Sequence, residues 1–287
     1  ADLAESAGRE AEMSKRQMIP GIIGIVILTV ILAGSVLAPV LAPYEVNAVD
    51  MSQTLRTPSA AHLFGTDLLG RDIFSRILYG GRSSILLSLT ATVLSMLAGM
   101  AVGTLAGYYG GICDDVILVC MNIFQGLPGT SLMIAIAGIM GPSFQSLMIA
   151  LVLTSWAGFA RIIRTEVLRL KEENFVKGLK ILGVSDQAII WKHIVPNMKG
   201  NTVVLFATRI GRCILSISGL SFLGLGIQPP NPDWSVMLND ARMNFRSYPH
   251  LIIAPGVCLV LLLLGINLVG DMLRDLMDHK RGEAGGY

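Results

Sequence analysis

Long apolar segments alternate with shorter polar ones along almost the whole 287-residue chain. A membrane-spanning helix needs about 20 mostly apolar residues, and six segments approach or exceed that length. They are residues 19–42, 83–108, 116–140, 143–160, 201–227 and 251–270, and the third is interrupted by "GLPG" at residues 126–129. Backbone groups in lipid must be paired internally, and the segments lack the period-two alternation of barrel strands. The pattern therefore predicts an all-α, polytopic membrane protein with six transmembrane helices.

The remaining segments complete the predicted organisation. They are an N-terminal tail (1–18), a long loop (43–82), a basic loop (161–200), a Pro-containing loop (228–250) and a C-terminal tail (272–287). In loop 43–82, Asp67 and Arg71 lie four residues apart, as do Asp72 and Arg76, so we expect an interfacial helix there. In loop 228–250, the prolines of "QPPNPDW" predict an extended start before a short helix.

Lysine and arginine residues set the expected orientation, because cytoplasmic segments carry an excess of them. The two tails and the basic loop 161–200 hold fourteen of these residues, whereas the loops 43–82 and 228–250 hold six. Both termini and the basic loop are therefore predicted to be cytoplasmic.

Composition supports a membrane protein and argues against several other classes. Only 15% of the residues are charged and mean hydropathy is +0.64, whereas soluble domains are about 25% charged. A net charge of +2 is too small to suggest a nucleic-acid partner. The four cysteines and four histidines form no metal-ligand spacing, and no phosphate-binding loop or catalytic motif is found. We therefore predict no catalytic residues, no metal site and no cofactor bound by this chain.

Glycines recur every four residues at the end of the second span, at Gly99, Gly103 and Gly107, with Gly111 beyond it. Such small-xxx-small spacing lets another helix approach closely. The ladder predicts tight helix packing in a bundle.

Arginines inside the fifth span raise a functional hypothesis, because charge within a membrane is costly. Arg209 and Arg212 are three residues apart, and Cys213 and Ser216 continue their face. A water-filled translocation path lined by these side chains accounts for the charges. The alternative is that the span begins later and both arginines extend to the cytoplasmic interface.

The stretch "NFVKGLKILG" within the basic loop is too short to cross a membrane. Its apolar residues fall at helical spacing: Phe175, Val176, Leu179 and Leu182. An amphipathic helix of this kind docks its apolar face in a groove of a soluble partner. The alternative is a helix lying on anionic lipid, which Lys177 and Lys180 would also favour.

Residues 173–197, "ENFVKGLKILGVSDQAIIWKHIVPN", resemble the cytoplasmic EAA loop of ABC-importer permeases. Gly183 matches the glycine of that loop, and "HIVPN" matches its end. Three further blocks are similar to the second permease subunit of the peptide/nickel family: residues 64–85, 219–234 and 267–278. The resemblance implies the type I importer permease fold, with a core transmembrane domain over residues 83–271.

The chain departs from this family in two places. The EAA triplet is Lys177-Gly178-Leu179, so a lysine replaces the acidic first residue. The glutamate that peptide permeases carry before "LSFLGLG" is absent, as in nickel-type permeases, although the histidines of the nickel-type fifth span are absent too. The resemblance therefore leaves two solute classes open, which are di- or oligopeptides and nickel or a metal chelate.

The resemblance also implies partners. Two ATPase subunits, which use ATP and Mg²⁺, would dock on the basic loop through Phe175, Lys177, Gly178, Leu179, Leu182 and Gly183. A solute-binding protein would dock on the loops 43–82 and 228–250. A homologous second permease would pair through glycine-rich faces, in the cytoplasmic (inner) membrane of a prokaryote. The rival hypothesis, a self-sufficient channel or secondary transporter, is disfavoured because no Asp or Glu lies within the spans.

Overall fold

The computed structural model describes the backbone of residues 2–284 and the side chains of residues 18–200 and 202–277. The described part of the chain is all-helical apart from one isolated β-bridge, which confirms the predicted fold class. Its long helices are α1 (Asp2–Val36), α3 (Ile73–Tyr109), α4 (Gly111–Gly126), α5 (Gly129–Met140), α6 (Phe144–Lys171), α10 (Lys199–Phe222) and α12 (His250–Ala284). The short helices are α2 (Ala38–Leu41), α7 (Asn174–Ile181), α8 (Asp186–Ile189), α9 (Val195–Asn197) and α11 (Trp234–Ala241), with a 3₁₀ turn at Met51–Gln53 and a π-helical segment at Ile190–Ile194.

Five of the described helices are long and apolar enough to cross a membrane singly, and α4 and α5 taken together give a sixth candidate span that is bent. The two halves of that span meet at 86°. The bend falls at Leu127 and Pro128, inside the predicted "GLPG" interruption, because proline lacks the N–H that would continue the hydrogen-bond ladder. All six predicted segments are helical over most of their length, and several helices extend beyond them. Helix runs into both predicted tails, and α6 continues eleven residues into the basic loop.

The chain divides into two compact units, residues 1–87 with 210–287 and residues 88–209. In the first unit, α1 packs along α12 where glycines remove side-chain bulk. A Cβ atom at Gly24 would lie 2.8 Å from Cβ of Leu268 and 2.9 Å from the backbone carbonyl oxygen of Gly265, so a side chain there would force the two helices apart. The buried core of this unit joins α3, α10, α11 and α12 around Trp234.

The predicted interfacial helix in loop 43–82 is wrong for residues 43–72. This segment holds only the 3₁₀ turn, and helix begins at Ile73 because Asp72 accepts a hydrogen bond from the backbone N–H of Ser75 (2.8 Å). The backbone before Asp72 turns at Gly70, whose φ of +72° suits glycine. The carboxylate of Asp67 accepts bonds from the backbone N–H groups of Leu69 and Arg71. Asp67 followed three residues later by Gly70 is typical of a turn, whereas the spacing of four residues between opposite charges favours a helix.

Loop 228–250 follows the prediction of an extended start before a short helix. Helix α11 begins after Asp233, which accepts hydrogen bonds from the backbone N–H groups of Ser235 (2.9 Å) and Val236 (3.3 Å). The other oxygen of Asp233 accepts a 2.6 Å bond from the hydroxyl of Ser84, and Trp234 donates from Nε1 to the carbonyl of Ile77 at 2.8 Å. These contacts join α11 to α3, although the residues are about 150 positions apart in sequence.

Candidate functional site

Helix α7 is the amphipathic helix predicted in the basic loop, and packing holds it in place. An isolated helix of eight residues is unstable in water, so tertiary contacts must stabilise it. Val176 is fully buried in a cluster with Tyr108, Ile163 and Val167, and such burial is worth about 1.5–3 kcal/mol. Leu179 packs against the same cluster.

The end of α7 forms a Schellman motif around Gly183. The N–H of Gly183 donates to the carbonyl of Lys180 (3.0 Å), and the N–H of Val184 donates to that of Leu179 (3.1 Å). Gly183 has a φ of +76°, which residues with a side chain rarely adopt. The glycine that carried the family resemblance therefore has a physical role, which is to end the helix sharply.

The opposite side of α7 leaves large apolar side chains exposed. Phe175 is 43% exposed, Ile181 86% and Leu182 79%. Further along the loop, Trp191 is 68% exposed. We define Phe175, Ile181, Leu182 and Trp191 as the exposed apolar set of the basic loop.

The structure corrects the predicted docking residues in part. Leu179 was expected to face a partner, but it packs inward because it lies three residues after Val176 on the same face. Ile181 and Trp191 are exposed but are not among the predicted docking residues. Ile181 lies next to Leu182 in the sequence, but it does not share the helical spacing of the other apolar residues, so the pattern does not include it.

Charges on α7 are balanced locally. Lys177, which replaces the family's acidic residue, lies 3.0 Å from the carboxylate of Glu172, and both side chains are exposed. The hydrogen bond from Lys177 holds the pKa of Glu172 below its usual value. Gly178 has no neighbouring atom within 4 Å of where a Cβ would stand, so its surroundings are open.

Tyr108, at the end of α3, ties the basic loop to the transmembrane helices of its unit. Its ring is buried, and its hydroxyl donates a 2.5 Å hydrogen bond to Asp186 at the start of α8. The ammonium of Lys180 on α7 lies 4.9 Å from the ring centroid, a cation–π distance. Nothing in the sequence pattern points to this contact between residues 78 positions apart.

The glycine ladder packs α3 against α6. A Cβ at Gly99 would lie 2.8 Å from the backbone nitrogen of Ala160. A Cβ at Gly103 would lie 3.1 Å from the carbonyl carbon of the same residue. A Cβ at Gly107 would lie 2.8 Å from the carbonyl oxygen of Arg164. These three glycines therefore make a contact within the chain, as bundle packing predicts. They are not a free face for a second permease. Gly111 stands outside the ladder, since it begins α4 and has open surroundings.

The predicted path residues all lie on α10. Counting from Thr202, where the candidate span begins, Arg209 and Arg212 lie about 10 Å and 15 Å along the helix. Arg209 places its guanidinium 5.3 Å from the ring centroid of Phe159, whereas Arg212 is exposed. Cys213 and Ser216 are half-buried. Both arginines therefore lie in the middle of α10.

Side chains that can ligate metals do not cluster in the described part of the chain. No group of three or more His, Cys, Asp or Glu side chains comes together there, and its four cysteines are free thiols.

Comparisons with known proteins identify a family and a fold that this chain matches. A family described as "Binding-protein-dependent transport system inner membrane component" matches residues 99–283. Among solved structures, a chain of the MetNI methionine ABC transporter in an inward-facing conformation matches with a TM-score of 0.57. It is 16% identical and covers 70% of this chain and 95% of that chain, which is a likeness of fold.

Curated relatives are similar over most of their length. The dipeptide transport system permease protein DppC of Alkalihalophilus pseudofirmus is 38% identical over 277 residues, covering 96% of this chain and 91% of the relative. The glutathione transport system permease protein GsiD of Pectobacterium atrosepticum is 40% identical over 244 residues, covering 85% of this chain and 81% of the relative.

Proposed function

The chain belongs to the family of inner-membrane components of binding-protein-dependent transport systems and is a permease subunit of an ABC importer, and from this premise we propose that its solutes are short peptides. The relatives named above carry a dipeptide and glutathione, which is itself a tripeptide. Of the two solute classes left open by the sequence, these names favour peptides over nickel chelates. The rival hypothesis of a self-sufficient channel gains no support from this family.

Energy for transport enters through the basic loop in this proposal. The observation that carries it is the exposed apolar set, which leaves large apolar side chains beside a helix that is itself firmly packed. A soluble ATPase with an apolar groove would cover them, in the helix-in-groove mode of recognition. Phe175 and Leu182 supply the contact area, while Lys177 remains paired with Glu172.

Movement of the docked ATPase would reach the membrane through α6 and Tyr108. Helix α6 leads to α7 through Glu172 and Glu173, and the hydrogen bond between Tyr108 and Asp186 joins the same loop to α3. Both transmembrane helices therefore follow the loop when it moves. Rocking of the spans would open the path alternately to each side.

Other parts of the proposal concern the path and the partners. Arg209 and Arg212 would attract the carboxylate of a peptide from a water-filled path along α10. The lysine and arginine distribution supports a multi-pass arrangement with both termini and the basic loop in the cytoplasm. A solute-binding protein would then meet the loops 43–72 and 228–249 outside, and a homologous permease would complete the path. ATP and Mg²⁺ would be used by the ATPase subunits and not by this chain.

The docking step is tested by introducing charge into the exposed apolar set. We expect the double variant Phe175→Asp and Leu182→Asp to weaken association with the ATPases at least 100-fold, since two apolar side chains contribute about 3 kcal/mol or more when covered. Both side chains are exposed, so the subunit should still fold and insert. The measurement is co-purification of the ATPases from membranes.

Asn174→Asp is the matched control, because it introduces a negative charge at an exposed position of the same helix outside the apolar set and outside the predicted docking residues. It should retain the ATPases. Equal co-purification of the double variant and the control would refute docking through these side chains.

The solute is tested by uptake of labelled Ala-Ala into proteoliposomes that contain the complete importer, its binding protein and ATP. Uptake that requires ATP and is competed by glutathione supports the proposal. Uptake of a nickel–histidine chelate without uptake of either peptide would contradict it.

A further inference from the structure

A cavity of about 270 Å³ lies in the first unit, between the turn before α3 and helices α11 and α12. It is far larger than the ~30 Å³ that one water occupies and approaches the size of small-ligand sites. Its lining combines apolar side chains with two carboxylates and two guanidinium groups: Met237, Leu251, Asp67, Asp240, Arg71 and Arg76. The charge distribution of the chain predicts that this end of the bundle faces away from the cytoplasm.

One cation of the cavity is incompletely paired. Arg76 is only 1% exposed, and its Nε makes no hydrogen bond. The Nη1 of Arg76 donates to the carbonyl of Val46 at 3.4 Å. Its Nε lies 3.6 Å from a carboxylate oxygen of Asp67, which is an ion-pair distance but too long for a hydrogen bond. Asp67 is already engaged by Arg71 at 2.6 Å and by two backbone N–H groups. A buried guanidinium donor therefore remains available.

One anion of the same cavity is also incompletely paired. Within the part of the chain that the structure describes, no hydrogen bond or ion pair within contact distance reaches the half-buried carboxylate of Asp240. The positive charges of Arg71 and Arg76 act on it only from further away. Buried polar groups normally make hydrogen bonds, so a guanidinium Nε and a carboxylate that both lack one on the same cavity call for an explanation.

The combination selects one ligand chemistry. A simple anion would satisfy Arg76 but would be repelled by Asp240, and a simple cation would meet the reverse conflict. A zwitterion satisfies both groups at once, with its carboxylate at Arg76 and its ammonium at Asp240. Met237 and Leu251 offer apolar surface to a side chain between the two charges.

We propose that this cavity is an entry subsite that holds the zwitterionic main chain of a short peptide before it reaches the path through the membrane. The inference rests on the proposed function, since it assigns the same solute class to a defined place on this chain. Asp240 recognises the free amino terminus, and Arg76, with Arg71 beside it, recognises the free carboxyl terminus.

The test measures binding of Ala-Ala to the purified importer complex in nanodiscs, without its binding protein, by saturation-transfer difference NMR. We expect wild type to bind Ala-Ala about tenfold more tightly than N-acetyl-Ala-Ala, because a hydrogen bond to a charged group is lost with the ammonium. In Asp240→Asn this preference should disappear. The substitution keeps the size of the side chain, so folding is preserved, and Arg76→Lys should weaken binding of Ala-Ala as a second variant.

Glu45→Gln is the matched control, because it neutralises one exposed acid in the same unit away from the cavity. It should keep the tenfold preference. The inference is overturned if wild type gives no saturation transfer to Ala-Ala, or if Asp240→Asn discriminates as strongly as Glu45→Gln. ATP-dependent uptake of Ala-Ala in proteoliposomes is measured in parallel, so that failure of the subsite is distinguished from failure of the peptide-transport proposal.

Discussion

Replacing Gly103 by alanine tests how closely α3 and α6 approach. The new Cβ would stand 3.0 Å from Cβ of Ile163 and 3.1 Å from the carbonyl carbon of Ala160, with the carbonyl oxygen of Ala160 closer still. Carbon atoms prefer separations of about 3.5–4.0 Å, so the helices must part by roughly half an ångström or more. Backbone atoms of Ala160 cannot rotate away as a flexible side chain can.

Two opposing effects set the expected magnitude. Overpacking a tight contact costs about 1–3 kcal/mol. Alanine is favoured over glycine inside a helix by roughly 0.5–1 kcal/mol. We therefore expect Gly103→Ala to lower the free energy of unfolding by about 1–2 kcal/mol, measured by titration with SDS in mixed micelles.

Gly138→Ala is the matched control, because Gly138 lies inside α5 with no atom within 4 Å of a new Cβ. Only the higher helix propensity of alanine applies there, so this variant should be slightly more stable than wild type. If Gly103→Ala were as stable as Gly138→Ala, the close contact between α3 and α6 would be refuted.

Three other predictions follow from local geometry. Gly183→Ala should cost about 1–2 kcal/mol of unfolding free energy, because Gly183 has a positive φ. Gly178→Ala, in open surroundings of the same loop, should be neutral or stabilising. Titration with SDS compares the unfolding free energies of the two variants. Tyr108→Phe removes the hydrogen bond to Asp186, so it should cost about 1 kcal/mol of unfolding free energy in the same titration and should reduce peptide-stimulated ATP hydrolysis. Unchanged ATP hydrolysis would contradict the proposal that Tyr108 passes movement of the basic loop to α3. Burial raises the pKa of Asp233 above 3.8, so the folded protein binds a proton at this carboxyl more tightly than the unfolded protein does. The stability of wild type relative to Asp233→Asn should therefore fall as pH rises from about 4 through the raised pKa. A difference in melting temperature between the two proteins that stays constant from pH 4 to 7 would contradict this.

The second span shows where sequence patterns succeed and where they stop. Its apolar length predicts a helix, and the spacing of Gly99, Gly103 and Gly107 predicts close packing, because both are properties of consecutive residues. The pattern cannot say that the glycines meet α6, since that depends on which helix the fold brings alongside. Packing inside the bundle, which the ladder predicts, is what these three glycines make against α6.

The first loop shows a conflict between two local signals. Charge pairs at a spacing of four indicated a helix, whereas Asp67 and Gly70 indicated a turn, and tertiary contacts decided for the turn. The pair between Asp67 and Arg71 does form, at 2.6 Å, but across a turn. Asp72 pairs with His62 and caps α3 instead of meeting Arg76.

The sequence by itself determined the membrane character, the six spans, the break at "GLPG", the amphipathic helix in the basic loop and the family. Each depends on local periodicity or on ordered motifs, which need no knowledge of neighbours in space. Only the tertiary structure decided which side chains of that helix remain exposed, that Tyr108 meets Asp186, and that Arg76 and Asp240 share one cavity. Such contacts join residues far apart in the chain, and packing between helices, not local propensity, brings them together.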